Sequence, residues 1–246
     1  MHDQWPDYAF VIQARLGSTR LPGKIMLAFG ASTVLGTLID NLFIFGVRPG
    51  NVLVATTCNR LDDLTAEYAA SLGVKVVRGD EADVLQRYQV AARQIETANI
   101  IRLTADNPLP DLKLIEHCLR RHDSDHPDLT STRFIDPAGR VERFVPKGSS
   151  IDIMTKSSLL EIDGTHCSMF EKEHVVPYFY GNLAVSLVKD FKTDRPELSI
   201  DTVEDYVRVS LFLQENRQWL MPGQHRVTSE RKNLFHSARP EPKDKR

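Results

Sequence analysis

The fold is decided by residues 8–24, which read Tyr8-Ala-Phe-Val-Ile-Gln-Ala-Arg-Leu-Gly-Ser-Thr-Arg-Leu-Pro-Gly-Lys24. The first six residues are apolar almost throughout, which is typical of a central strand covered on both faces. The residues after this strand therefore lie at the carboxyl edge of a sheet, where open α/β sheets bind ligands. They include glycines, hydroxyl residues and three cations, and such a loop can bind phosphate through backbone N–H groups and positive charge.

Outward from this stretch, short β-branched runs alternate with amphipathic segments. This pattern predicts an α/β fold with a Rossmann-like, mostly parallel sheet flanked by helices. We predict strands at residues 8–13, 51–56, 74–77, 100–104 and 184–189. We predict helices at residues 33–45, 61–72, 83–95, 111–121, 170–180 and 203–215.

The alternation fades after about residue 125, where residues 133–145 read as a β-hairpin around Asp136-Pro-Ala-Gly139. We interpret residues 128–155 as a small hairpin insertion that faces the acceptor and pairs two copies of the chain. Residues 1–225 are expected to form one nucleotidyltransferase domain. Residues 226–246 are expected to form a basic, disordered tail.

The composition excludes several classes of protein. With 246 residues and 41% hydrophobic content, the chain has the numbers of one globular domain, and its net charge of −2 argues against nucleic-acid binding. Cys58, Cys118 and Cys167 stand far apart, so we expect free thiols in a reducing cytoplasm. Neither an export signal nor a run of about 20 apolar residues is visible, and we expect no membrane contact.

The loop after the first strand differs from the common nucleotide-binding loops. Gly17 and Gly23 are too far apart for a P-loop, and Ile25 follows Lys24 where that motif has a magnesium-binding hydroxyl. The dinucleotide fingerprint G-x-G-x-x-G is also missing. We therefore reject an ATPase, a GTPase and a nicotinamide enzyme. The remaining readings are a solvated basic loop or a binding site for a different polyphosphate.

Several ordered motifs, spread over about residues 8–215, resemble one family. They are the loop already quoted, Val54-Ala-Thr-Thr57, Arg78-Gly79 with Asp83-Val-Leu-Gln-Arg-Tyr88, Arg102-Leu-Thr-Ala-Asp-Asn-Pro108, Glu171-Lys-Glu-His-Val-Val-Pro-Tyr178 and Ser199-Ile-Asp-Thr202. Together they are similar to the cytidylyltransferases that act on acylneuraminate and 3-deoxy-manno-octulosonate, and most similar to the branch of spore coat polysaccharide biosynthesis protein F. The resemblance implies a fold of the nucleotide-diphospho-sugar transferase type.

The same resemblance implies an activity. It is the Mg²⁺-dependent transfer of CMP from CTP to a sugar, a sugar acid or a related surface-polysaccharide precursor, with release of pyrophosphate. The expected partners are CTP, a small acidic or sugar acceptor and a second copy of the chain. Two other readings stay open, a glycosyltransferase that uses a nucleotide sugar on a similar fold and a catalytically silent nucleotide-binding protein.

Two aspartates are candidates for the metal site. Asp106 follows one predicted strand and Asp201 is expected to end another, so both can reach the edge of the sheet where the basic loop lies. A magnesium ion needs one or two protein carboxylates and takes its other ligands from phosphate and water. Each residue could instead cap a turn or a helix. The resemblance places the metal ligands of the family at these two positions.

The remaining candidates bind the nucleotide or the acceptor. We expect Arg15 and Lys24 to contact the triphosphate and, with the two aspartates, to be catalytic. The resemblance assigns base contacts to Ala14, Thr56, Gly79 and Asp83. We also expect Gly17, Ser18, Arg20 and Thr104 to contact the nucleotide, with a turn hydrogen bond as the alternative for Ser18. In the family the segment equivalent to Lys147-Gly-Ser-Ser-Ile-Asp-Ile153 faces the acceptor, so we expect Lys147, Ser149 and Asp152 to bind it, although this segment departs from the family pattern by one additional residue. His174 is a further acceptor candidate, with a structural role as the alternative.

Overall fold

A seven-stranded sheet forms the centre of the computed structural model, which describes residues 5–216. The strands of the protein, in chain order, are β1 (Tyr8–Gln13), β2 (Ala28–Phe29), β3 (Ser32–Thr33), β4 (Val52–Thr57), β5 (Lys75–Gly79), β6 (Asn99–Thr104), β7 (Leu129–Ser131), β8 (Arg133–Ile135), β9 (Val141–Arg143), β10 (Asp152–Thr155) and β11 (Val185–Leu187). The helices are α1 (Val34–Ile44), α2 (Asp63–Ser71), α3 (Val84–Arg93), α4 (Leu112–Asp125), α5 (Lys156–Glu161), α6 (Met169–His174), α7 (Pro177–Asn182) and α8 (Val203–Glu215).

The strand order of the large sheet is β11-β7-β10-β6-β1-β4-β5. Strands β5, β4, β1 and β6 run parallel, whereas β10 is antiparallel to both of its neighbours. The chain builds outward from β1 through β4 to β5 and then crosses to β6 on the other side of β1. The order therefore reverses between β1 and β6, and the crevice outside their carboxyl ends is the expected place for a ligand in such a sheet.

Helices cover both faces of the sheet. Apolar residues of α1, α2 and α4 pack in one core with β1 and β4, and apolar residues of α3, α5 and α7 pack in a second core on the opposite face. Helix α8 contributes Val209 and Leu213 to a third cluster near the start of α1. The predicted mostly parallel α/β fold is confirmed. Among the described residues no helix combines the length and the apolar character that a membrane crossing requires.

The predicted helix at residues 170–180 is wrong in one respect, because the structure divides it into α6 and α7. Val175 lies between them at φ 67° and ψ −62°, and the N–H of Val176 donates to the carbonyl oxygen of His174 at 2.8 Å. These angles and this bond are those of a γ-turn, which is rare and strained. The side chain of Val175 is completely buried in the core, and this packing holds the turn.

The hairpin predicted at residues 133–145 is present as β8 and β9, but the insertion around it does more than expected. Strands β7 and β10, which flank the hairpin, join the large sheet and extend it past β6. Two apolar residues of this segment pack within the same chain, since the ring of Phe134 lies 4.9 Å from that of Tyr180 at a tilt of 58° and Val145 is 6% exposed. The predicted tail at residues 226–246 lies outside the described residues.

Candidate active site

A polar cleft of about 240 Å³ opens at the carboxyl ends of β1 and β6, where the strand order reverses. It is lined by eight of the predicted site residues, which are Ala14, Arg15, Ser18, Arg20, Lys24, Thr104, Asp106 and Asp201, and also by Gln13, Thr19, Ile25 and Ala105. The lining thus joins the loop after β1 to the loop after β6 and to the segment before α8. The sequence predicted that the loops after β1 and β6 meet at this edge. It was wrong that Asp201 ends a strand, because residues 188–202 form no strand.

Lys24 is the central side chain of the cleft. It opens a short 3-10 turn over residues 24–26 after Gly23, and only 8% of Lys24 is exposed. Its ammonium group lies 2.8 Å from Oδ2 of Asp106 and 3.0 Å from Oδ1 of Asp201, and it donates to the carbonyl oxygen of Ile200 at 2.8 Å. One cation therefore bridges two carboxylates that are 95 positions apart in the numbering of the chain.

The backbone holds the two aspartates side by side. The N–H of Ile200 donates to the carbonyl oxygen of Asp106 at 2.9 Å, which joins the segment before α8 to the loop after β6. Neither aspartate is a helix cap. Asp111 caps α4, and Thr202 caps α8 in a capping box with Asp205. The competing capping explanation therefore fails for both residues, and their carboxylates are left to face the cleft.

Asp201 is the most strongly perturbed carboxylate of the cleft. Lys147 donates to its Oδ2 at 2.7 Å, and Arg20 lies 3.0 Å from its Oδ1, where Lys24 also binds. Burial acts to raise the pKa of Asp201, but the hydrogen bonds from Lys147 and Lys24 outweigh burial and lower the pKa to about 2. Asp201 is therefore ionised at neutral pH and surrounded by positive charge.

Gly148 brings Lys147 to this position. Its φ is +94°, and a Cβ built on it would lie 2.5 Å from the backbone nitrogen of Ser199 and 2.9 Å from the carbonyl carbon of Leu198. The N–H of Leu198 also donates to the carbonyl oxygen of Lys147 at 3.1 Å. Only glycine permits this approach, because both the left-handed conformation and the close backbone exclude a side chain.

The rest of the loop after β1 is held by two acids that the sequence did not single out. Buried Asp62 accepts from the N–H of Leu16 at 2.7 Å, and Glu81 pairs with Arg15 at 2.6 Å. Arg15 and Arg20 remain largely exposed at the mouth of the cleft. The side chain of Ser18 makes only a long contact of 3.5 Å with the N–H of Leu21.

Asp62 and Glu81 carried no usable signal in the sequence. Asp62 resembles an ordinary residue at the start of a helix, and Glu81 stands in a polar turn after β5. Gly17 is close to Glu81, since a Cβ on Gly17 would lie 3.3 Å from its Oε1. The loop after β1 is therefore held in place by Asp62, which follows β4, and by Glu81, which follows β5.

Three further predicted nucleotide contacts stand on this same side, at the ends of β4 and β5. Thr56 is completely buried, and its Oγ1 has no hydrogen-bond partner within residues 5–216. Gly79 ends β5 beside Arg87, whose Cγ would lie 2.7 Å from a Cβ on Gly79. Asp83 caps α3 by accepting from the N–H of Gln86 at 2.8 Å. Ala14 lies at the β1 end, and its N–H donates to the carbonyl oxygen of Ala55 at 3.1 Å.

One acceptor prediction requires correction. Asp152 is 2% exposed, and its carboxylate is engaged by Arg102 at 3.3 Å, Arg133 at 2.5 Å and the hydroxyl of Ser131 at 2.8 Å. Burial acts to raise its pKa, but the two arginines lower it below the ordinary value. Asp152 is therefore a buried ion-pair residue of β10, and its carboxylate has no capacity left for direct contact with an acceptor.

The other acceptor candidates lie in different settings. Lys147 is brought to the cleft by its ion pair with Asp201. Ser149 is 2% exposed, and its Oγ is unpartnered within the described part of the chain. His174 ends α6 with its ring 4.6 Å from that of Phe170, and burial lowers its pKa. The structure thus brings only Lys147 of these residues into contact with the metal candidates.

The donor set of the cleft fits a hard divalent cation. Asp106 and Asp201 approach a common point, which the ammonium group of Lys24 marks at 2.8 and 3.0 Å. The described residues contain no group of three or more acidic, histidine or cysteine side chains arranged for a metal. Two carboxylates next to a cation-rich loop fit the coordination preference of Mg²⁺, which binds one or two protein carboxylates and takes its remaining ligands from phosphate oxygens and water.

Two known proteins are similar to this chain over most of its length. The spore coat polysaccharide biosynthesis protein SpsF of Bacillus subtilis (strain 168) is 30% identical over 212 residues, which cover 85% of this chain and 87% of that protein. A solved cytidylyltransferase from Leptospira borgpetersenii serovar Hardjo-bovis superposes with a TM-score of 0.72 at 32% identity, covering 87% of this chain and 96% of the other.

A more distant structure shares the fold. It is a CMP:2-keto-3-deoxy-manno-octonic acid synthetase complexed with CTP, and it superposes with a TM-score of 0.61 at 17% identity, over 85% of this chain and 99% of that one. The sequence profile of the family described as Cytidylyltransferase matches residues 9–227. With this match and the Bacillus relative, the chain belongs to the cytidylyltransferase family of nucleotidyltransferase enzymes.

Proposed function

We propose that this protein transfers CMP from CTP to a sugar-type acceptor, with Mg²⁺ as cofactor and pyrophosphate as the second product. The observation that carries the proposal is the contact of Lys24 with Asp106 and Asp201 at the reversal point of the sheet. This contact collects a phosphate-binding cation and two magnesium-type ligands in one cleft. Family membership makes CTP the expected nucleotide.

The side chains of the cleft divide the work of such a transfer. Arg15 and Arg20, at the mouth, are suited to bind the β- and γ-phosphates and to neutralise the leaving pyrophosphate. Lys24 is suited to contact the α-phosphate, where negative charge develops during the displacement. Asp106 and Asp201 would hold Mg²⁺, which supplies charge neutralisation on the phosphate oxygens when it is bound. Catalysis would then rest on positioning and electrostatics, without a covalent enzyme intermediate.

The acceptor class follows from chemistry and from the relatives. The name of the Bacillus relative refers to coat polysaccharide biosynthesis, and that of the CTP-bound structure to a sugar acid. Lys147 lies beside Asp201 and can bind an anionic acceptor group, and Ser149 and His174 remain further candidates. We therefore propose a sugar, a sugar acid or a related surface-polysaccharide precursor as acceptor.

Three further statements belong to the same proposal. Residues 1–225 form the nucleotidyltransferase domain, and the segment 128–155 serves acceptor binding. The enzyme works as a homodimer, and it works in the cytoplasm, where CTP is made. The free thiols of Cys58, Cys118 and Cys167 agree with a reducing compartment.

The decisive experiment measures pyrophosphate release with each of the four nucleoside triphosphates against a panel of sugar acids, sugar phosphates and phosphonates. We expect release with CTP and one class of acceptor only. Asp106→Asn and Asp201→Asn should each lower turnover by several orders of magnitude, whereas Asp190→Asn, at an exposed position far from the cleft, should not. Tight CTP binding without pyrophosphate release across the panel would refute the proposal and favour a silent nucleotide-binding protein.

A further inference from the structure

A row of polar residues crosses the sheet next to the cleft. Gln13 on β1, Arg102 on β6, Asp152 on β10 and Ser131 on β7 lie on neighbouring strands, and Asp152 is paired in register with both Arg102 and Ser131. Hydrogen bonds link each of these residues to the next one in the row. Arg102, Asp152 and Ser131 are each at least nine-tenths buried. Gln13 is the member of the row that reaches the cleft.

Arg102 determines the orientation of the Gln13 side chain. Its Nη2 donates to Oε1 of Gln13 at 3.0 Å. A guanidinium group has only donors, so the atom that faces it must be the amide oxygen and cannot be the amide nitrogen. The Nε2 group of Gln13 therefore turns away from Arg102. Within residues 5–216 it has no hydrogen-bond partner, and the residue lines the cleft beside Asp106.

A second donor stands next to Gln13. Thr104 is its register partner on β6, and the Thr104 Oγ1 accepts from Nδ2 of Asn107 at 2.7 Å. Since that contact uses the oxygen as an acceptor, the hydroxyl hydrogen remains available for a ligand. Gln13 and Thr104 thus present N–H and O–H donors to one place in the cleft, and a ligand oxygen that accepts hydrogen bonds fits there.

The position of this pair relative to the phosphate loop indicates which ligand it meets. Arg15, which pairs with Glu81 after β5, and the base-binding candidates Thr56 and Gly79 lie on the β4 and β5 side of β1. Lys24 contacts Asp106 after β6, and Gln13 turns toward β6 and β10. In a phosphoryl-type displacement the attacking and leaving oxygens lie roughly in line on opposite sides of the phosphorus. An acceptor that attacks opposite the leaving pyrophosphate would therefore lie over β6.

We propose that Gln13 is an acceptor-binding residue, whose amide N–H group donates to an oxygen of the acceptor and so helps to select it. This inference rests on the proposed function. Arg102 and Asp152 act as positioning residues, because Nη1 of Arg102 binds Asp152, which Arg133 also holds, while Nη2 of Arg102 binds Gln13. Asp152 does not touch the acceptor, but it supports acceptor binding because it holds Arg102, which in turn orients Gln13.

Gln13→Glu is the sharpest test. Glutamate keeps the shape of the side chain and an oxygen for Arg102, but it has no N–H to donate. We expect the acceptor KM to rise at least about tenfold, with the CTP KM changed less than twofold. Gln13→Met, which removes the amide without adding charge, should show the same pattern. Gln94→Glu, at an exposed position at the end of α3, is the matched control.

Two kinetic results would overturn the inference. An acceptor KM within twofold of wild type in Gln13→Glu would mean that Gln13 only satisfies Arg102. An equal loss of CTP affinity would mean that it binds the nucleotide. A failure of the proposed function is seen separately, as absence of pyrophosphate release by the wild-type protein.

A binding measurement keeps the inference testable in that case. The side-chain amide resonance of Gln13, identified in ¹⁵N-labelled protein by its absence in Gln13→Met, is followed with Mg²⁺ and α,β-methylene-CTP. Addition of 3-deoxy-manno-octulosonate, or of another compound of the panel, should then shift it. A resonance that moves with the nucleotide alone, or with none of the compounds, refutes the assignment.

Discussion

Replacement of Lys24 by methionine tests whether this residue is the charge that holds the cleft together. Methionine retains a flexible apolar stem of similar length, so the packing changes little while the ammonium group is lost. The variant would leave Asp106 and Asp201 adjacent without the cation that bridges them at 2.8 and 3.0 Å. The carbonyl oxygen of Ile200 would also lose its donor.

The size of the effect follows from these contacts. Removal of one partner from a buried ion pair costs about 3–5 kcal/mol, because the other charge stays buried and unpaired. Here the side chain of Asp106 is 25% exposed, and Asp201 keeps Lys147 and Arg20. Both facts reduce the penalty, and we expect the free energy of unfolding to fall by about 3 kcal/mol in the presence of EDTA.

Divalent metal should reverse part of this loss. Without Lys24 the two carboxylates attract a cation more strongly, and a ligand at 100 times its Kd stabilises the folded state by about 2.7 kcal/mol. Urea unfolding in EDTA and in MgCl₂ measures both effects, with Lys113→Met on the exposed surface of α4 as the matched control. A loss below about 1 kcal/mol in EDTA, or equal stabilisation of wild type and variant by Mg²⁺, would refute the assignment.

Two further predictions concern the surroundings of Lys24. The pKa of Asp201 lies near 2 in the folded protein, below its ordinary value of 3.8, so this group stabilises the fold above about pH 4 and loses that effect as the pH falls to 2. Wild type should therefore lose about 2 kcal/mol more than Asp201→Asn between pH 5 and pH 2, and parallel stability curves would contradict the prediction. Gly148→Ala should destabilise the protein by at least about 2 kcal/mol and lower activity by moving Lys147, whereas Gly50→Ala, with open space around it, should do neither. Urea unfolding and pyrophosphate release measure both outcomes, and an alanine variant as stable as wild type would show that the backbone contact at Gly148 is relaxed.

Much of the fold could be predicted from local patterns. The apolar run before Gln13 predicted the central strand, and the periodicity of residues 203–215 predicted α8 with the bounds that the structure has. The cleft followed in part from the same reasoning, because Asp106 stands shortly after β6 and Lys24 belongs to the loop that follows β1. The expected strand that ends at Asp201 is absent, since residues 188–202 form no strand. Position at the carboxyl edge of a parallel sheet is a property that sequence order reveals.

The features that the sequence did not predict depend on contacts between residues that are distant in the chain, and the spacing of residues does not reveal such contacts. Asp152 was expected in the cleft because its motif resembles an acceptor segment, but the antiparallel insertion of β10 between β6 and β7 turns its carboxylate onto Arg102 and Arg133. Val175 broke a helix that looked continuous, because core packing overrides the local preference of its backbone. Asp62 has no sequence signature, since its partners, such as Leu16, lie on another strand–loop unit.

The bond between the N–H of Ile200 and the carbonyl oxygen of Asp106 joins a late part of the chain to an early one. During synthesis the loop after β1, β6 and Asp106 leave the ribosome first, and domains begin to fold from the amino end. Until residues 198–201 emerge, Lys24 can contact only one of its two carboxylates. A nascent chain can therefore carry the loop after β1 but not the complete candidate site, which forms only when translation has passed Asp201.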